Sequence, residues 1–114
     1  MTRRDGMLEK DIEKILISEI KKLGGKAYKF ISPGNSGVPD RIVVLPGGKI
    51  MFVELKTKTG NLSVLQSVQV KRLIELGQKV YVVYGLKGLR DFFDEIGDRE
   101  ASAKMQKRLE GGKE

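Results

Sequence analysis

An α/β domain, with a mixed sheet flanked by helices, is the fold this sequence predicts. Apolar residues recur at helical spacing near the start of the chain, and three strand-like segments then follow in quick succession. A second helical segment separates the third strand from a β-branched and aromatic fourth one. Short links make antiparallel neighbours, whereas a helical crossover makes a parallel pair, so the sheet is expected to be mixed. A chain of 114 residues that is 39% hydrophobic is sized for a single core.

The elements follow in order. Residues 8–23 place Leu8, Ile12, Ile15, Leu16, Ile20 and Leu23 on one face of a helix, and Gly24-Gly25 ends it. Residues 26–32 alternate with a period of two and predict the first strand. Pro33 to Gly37 form a loop, and residues 40–45 form the second strand. Pro46-Gly47-Gly48 is a tight hairpin connection into a third strand over residues 49–57. Residues 63–76 predict a helix with Leu65, Val68 or Gln69, Leu73 and Leu76 on its inner face, closed by Gly77. Residues 78–84 form a largely buried fourth strand, and residues 87–96 a short helix bearing Leu89, Phe92, Phe93 and Ile96. This divides the chain into a domain over residues 1–96 and a charged tail over 97–114, expected as a loose helix with a frayed end and dispensable for activity.

Composition removes whole classes of chemistry. With no cysteine and no histidine there is no disulfide scaffold, zinc or iron–sulfur site, haem ligation through either residue, or Ser-His or Cys-His nucleophile. Any metal must sit among oxygen ligands, the chemistry of Mg, Mn or Ca. No stretch approaches the ~18 apolar residues of a membrane span, and charged residues follow the basic start where a signal peptide would need its apolar run. The expected setting is cytoplasmic, away from membranes.

The net charge is +7, unevenly placed. Residues 31–90 carry nine Lys/Arg against three Asp/Glu, whereas residues 91–114 carry five against seven. Such an excess serves either solubility or a nucleic-acid surface. The middle segment's acids are Asp40, Glu54 and Glu75, and two of them lie near a lysine in the folded order.

Glu54 and Lys56 are two apart on a strand, so their side chains leave the same face. Counting outward from the hairpin at Gly47, Asp40 and Glu54 stand equally far from the turn on adjacent strands. Two carboxylates so placed can share a divalent cation, with the Leu55 carbonyl as a further ligand. A lysine beside the ion can orient water and stabilise charge developing on a phosphate. The bland alternative is a same-face ion pair worth only ~0.2–1 kcal/mol.

Gly37-Val38-Pro39-Asp40-Arg41-Ile42-Val43, Phe52-Val53-Glu54-Leu55-Lys56-Thr57 and the following Gly60 to Gln66 resemble the VRR-NUC (virus-type replication–repair nuclease) domain, within the PD-(D/E)xK group. The resemblance runs from about Glu9 to about Ile96. It implies a restriction-endonuclease-like α-β-β-β-α-β core and metal-binding roles for Asp40 and Glu54. It also implies a catalytic lysine at Lys56, a glutamine at Gln66, and an acid on the first helix, with Glu9 chosen and Glu13 the alternative. Ser63-x-x-Gln66 is equally a helix capping box, and the two roles are compatible. The loop from Ser32 to Gly37 either approaches a phosphate, with Asn35 and Ser36 as donors, or simply turns the chain.

The expectation is a Mg- or Mn-dependent DNA endonuclease, selective for branched DNA such as four-way (Holliday) junctions and acting as a homodimer. With no histidine as general base, that task falls to the lysine and the metal. Interface material is sought in the helix of Leu89, Phe92 and Phe93 and in the tail helix, the alternative being that both cover their own sheet. The alternative is a catalytically silent nucleic-acid-binding module on the same fold.

Overall fold

The computed structural model describes residues 7–112. Its elements are α1 (Glu9–Lys22), β1 (Lys26–Lys29), β2 (Arg41–Leu45), β3 (Lys49–Lys56), α2 (Val64–Glu75), β4 (Val80–Tyr84), α3 (Gly85–Glu95) and α4 (Arg99–Glu110). The sheet runs β1-β2-β3-β4. The first two pairings are antiparallel, and β3 and β4 are parallel across the α2 crossover. The expected α/β class and mixed sheet are what forms.

The β2–β3 register fixes the site. Leu45 faces Lys49 across the hairpin and Arg41 faces Val53 at its far end, so one step further sets Asp40 opposite Glu54. Gly47 and Gly48 both take positive φ (86° and 77°), which lets a connection this short close. Along β3, Met51, Val53 and Leu55 enter the core, while Phe52, Glu54 and Lys56 alternate onto the other face.

The core gathers Ile12, Leu16 and Ile20 of α1, Val43 of β2, and Leu86, Leu89, Phe92 and Phe93 of α3, all but fully buried. That consumes the apolar face in which a subunit interface is sought from the sequence, and Leu89, Phe92 and Phe93 pack inside their own chain. The tail differs from expectation as well. Its α4 is a regular helix, capped by the Asp98 side chain accepting from the Ala101 N–H at 3.1 Å. It buries Ala101 and Met105 in the same core. Ala101 and Met105, four apart, pack it onto α3, with Leu109 half-buried against the same core.

α2 departs in a different way. None of its residues is buried, and Leu65, Val68 and Leu76 stand 56%, 42% and 68% exposed. The inner side carries Gln69 and Leu73, as expected, together with Gln66 and Val70, all half-buried. Polar contacts at the helix start set its rotation in place of the apolar stripe. β4, expected largely buried, is a half-buried edge strand with only Val83 fully inside.

Candidate active site

Asp40 stands at the mouth of β2 and Glu54 near the end of β3, and the two are interlocked. The Asp40 N–H donates to Glu54 Oε1 at 3.2 Å, and the Leu55 N–H donates to Asp40 Oδ2 at 2.9 Å. The backbone of each strand therefore holds a carboxylate of the other. Glu54 Oε2 accepts from Gln66 Nε2 at 3.0 Å and lies 3.6 Å from Lys56 Nζ.

The Glu54 side chain is 2% exposed. Burial pushes its carboxyl up to about 7, with the neighbouring Asp40 charge adding to the rise and Lys56 opposing it. Lys56, at 15% exposed, is itself largely withdrawn from solvent. An acid this costly to ionise, set against a second acid and one lysine, is short of positive charge.

Gln66 performs both roles open in the sequence. Its Oε1 accepts from the Ser63 N–H at 2.8 Å and its N–H donates to Ser63 Oγ at 3.1 Å, closing the capping box. Its Nε2 is left for Glu54. One amide thus ties the start of α2 to the buried acid. Gly37 fastens the same helix from the other side. A Cβ there would lie 2.6–2.8 Å from the Leu65 carbonyl and the Gln66 nitrogen, and its φ is +91°. Gly37 is a close-approach glycine that seats α2. Asn35 turns inward on its own loop, donating to Ser32 Oγ at 2.9 Å and to the Pro33 carbonyl at 3.4 Å.

On α1 the two candidate acids separate. Arg41 takes Glu13, with Nη2 at 2.8 Å and Nε at 3.3 Å from Oε2, while Nη1 reaches the Ala27 carbonyl at 3.2 Å. Glu9 lies one turn nearer the helix start. Its carboxyl is raised by partial burial and by Asp40, with Lys56 pulling the other way, so it stands within electrostatic reach of the site. The Arg41 clamp is invisible in the sequence because its partner lies 28 positions away. The only hint is an arginine directly after Asp40.

Among the described residues, no three acidic side chains converge into a complete metal cage. The fit is with a cation that takes one or two carboxylates and completes its shell from substrate oxygens and water, the habit of Mg²⁺. Asp40 and Glu54 are the two carboxylates placed together here that could supply such a pair. Their hydrogen bonds leave Asp40 Oδ1 and one lone pair of Glu54 Oε1 uncommitted.

Residues 5–87 match the VRR-NUC domain family. The chain is 52% identical over 75 residues to "Putative nuclease p44" of Acyrthosiphon pisum secondary endosymbiont phage 1, an alignment covering 66% of this chain and 81% of that protein. A solved structure described as a VRR_NUC domain superposes with a TM-score of 0.62 at 27% identity, over 90% of this chain and 94% of the other. Asp40, Glu54, Lys56 and Gln66 all fall within the matched span, and the chain belongs to the VRR-NUC domain family.

Proposed function

We propose that this VRR-NUC domain is a divalent-metal-dependent endonuclease that hydrolyses phosphodiester bonds in DNA, selects branched DNA such as four-way junctions, and works as a homodimer. The observation that carries the reading is Glu54, a buried carboxylate cross-braced to Asp40, Gln66 and Lys56 at the mouth of two strands. The family membership and the name of the phage relative support the same activity.

Asp40 and Glu54 would hold Mg²⁺ or Mn²⁺, with the Leu55 carbonyl beside them and Glu9 at the rim. When bound, the cation neutralises charge on the scissile phosphate and acidifies water. Lys56 keeps a positive charge next to Glu54 inside a site of low solvent access, where it can donate to a phosphate oxygen or orient the attacking water. Gln66 holds Glu54 Oε2 in place, so the carboxylate cannot swing away. The dimer and junction parts of the proposal belong together, because symmetric cleavage of a branch requires two centres at fixed separation, which a twofold dimer would supply. The apolar stripe that α2 turns outward is available to a second copy.

A panel of four-way junctions, flaps and linear duplexes, incubated with Mg²⁺, Mn²⁺, Ca²⁺ or EDTA, tests the reading. Paired incisions at the junction that EDTA abolishes are expected. Binding without cleavage under every metal would mark a silent binding module. Cleavage of linear duplex alone would leave a general nuclease.

A further inference from the structure

The C-terminal segment has a net acidic sequence, yet α4 sorts its charges. A groove of about 640 Å³ runs between α1 and α4, lined by Lys14 from α1 and by Lys104, Lys107 and Arg108 from α4. Its single acid is Glu19, already neutralised by Lys22 and Lys104 at 3.2 Å each. The side chains of Lys14, Lys107 and Arg108 have no hydrogen bond or ion pair to another side chain among the described residues. Ile15 and Met105 also line the groove and give it an apolar side.

Three uncompensated cations around one concave, partly apolar surface suit a ligand with regularly spaced negative charge and an apolar face between the charges. A sugar–phosphate backbone has that chemistry. Phosphate contacts of this kind position a strand and carry no sequence information of their own. Helix α1 links the groove to the candidate active site. Lys14 follows Glu9 by five residues, about 7.5 Å along the axis and about 140° around it, so the groove opens on a different side of α1 from the candidate metal site.

We propose that the α1–α4 groove is a second backbone-binding site for DNA, on a different side of α1 from the metal centre. The proposal rests on the nuclease reading above. Much of the groove lies on α4, beyond the residues matched to the family.

The test measures binding of labelled linear duplex and four-way junction in EDTA, from low to physiological salt. Lys107→Ala combined with Arg108→Ala should weaken binding about tenfold and flatten the slope of log K against log salt by about 1.8, at ~0.9 for each phosphate no longer neutralised. Lys14→Ala, on an exposed side chain, should flatten it by about half as much. Lys49→Ala with Lys79→Ala removes the same charge at the hairpin end of the sheet and is the control. It should keep the wild-type slope, and thermal melting should show every variant folded. Equal losses in groove and control variants would reduce the effect to net charge and overturn the groove. Wild-type slopes in both groove variants would overturn it too. A wild-type protein that bound neither DNA would instead overturn the nuclease reading itself.

Discussion

Glu54 places a carboxylate where ionisation is costly, and Asp40 makes it costlier. The consequence for stability has a definite sign. In metal-free protein the folded state keeps a proton on Glu54 up to about 7, whereas the unfolded chain releases it near the ordinary 4.5. The folded state therefore binds more protons between those values, and stability falls as pH rises through that window. Melting in EDTA should decline from pH 4.5 to 7 and level off beyond it, and Glu54→Gln should remove the decline. The same substitution, or Asp40→Asn, should abolish cleavage while the fold persists, since each keeps shape and loses a ligand charge. More than a tenth of the wild-type rate in both variants at saturating Mg²⁺ would sink the metal centre. Lys56→Ala should lose cleavage yet retain Mg²⁺ binding by calorimetry; if added metal restores the rate, Lys56 only supports the structure. The Asp40–Glu54 pairing is legible in the sequence because a hairpin converts equal distances from its turn into cross-strand neighbours. The division of labour between Glu9 and Glu13 is not. It is decided by Arg41, which reaches Glu13 across a separation no periodicity records.

At the scale of elements, helix α2 shows how a sequence can mark the right segment and mislead about its inner face. Of the inner face expected from the spacing, Leu73 and Gln69 do turn inward, while Leu65, Val68 and Leu76 turn out. The capping box, the Gln66–Glu54 bond and the close approach of Gly37 hold the start of the helix in that rotation. Gly37→Ala should therefore act on the site as well as on the fold. Its Cβ would push the start of α2 away, and Gln66 with it, so cleavage should fall further than melting temperature. Helix α4 makes the opposite case. Its charge pattern reads as a solvated tail, yet Ala101 and Met105 are buried against α3. Met105→Ala should cost about 2–5 kcal/mol, as for other large-to-small core changes. Truncation after Gly97 should leave protein that fails to melt cooperatively. An active, cooperatively folded truncation product would show that α3 covers the sheet without α4.

At the scale of the whole molecule, assembly turns on which apolar surfaces the chain has already used. Leu89, Phe92 and Phe93 close the core from within, and Met105 is buried beneath α4 with the α1–α4 groove beside it. Ile31 and Ile50 are exposed singly elsewhere, whereas α2 gathers Leu65, Val68 and, at its C-cap, Leu76 on one outward side. The helix carrying them is the one whose first turn holds Glu54 through Gln66. A twofold pairing of α2 stripes would bring two active sites near one axis and brace both of them at once. Light scattering should give twice the 12.7 kDa of a single chain. Val68→Lys with Leu76→Lys should return the protein to a monomer, since like charges would then meet across the axis. That monomer should still nick DNA but lose paired incisions at a junction, because each copy keeps a complete centre and only their fixed spacing is gone. A wild-type mass of one chain, with and without junction DNA, would remove the dimer. Paired incisions by the monomeric variant would move the interface elsewhere.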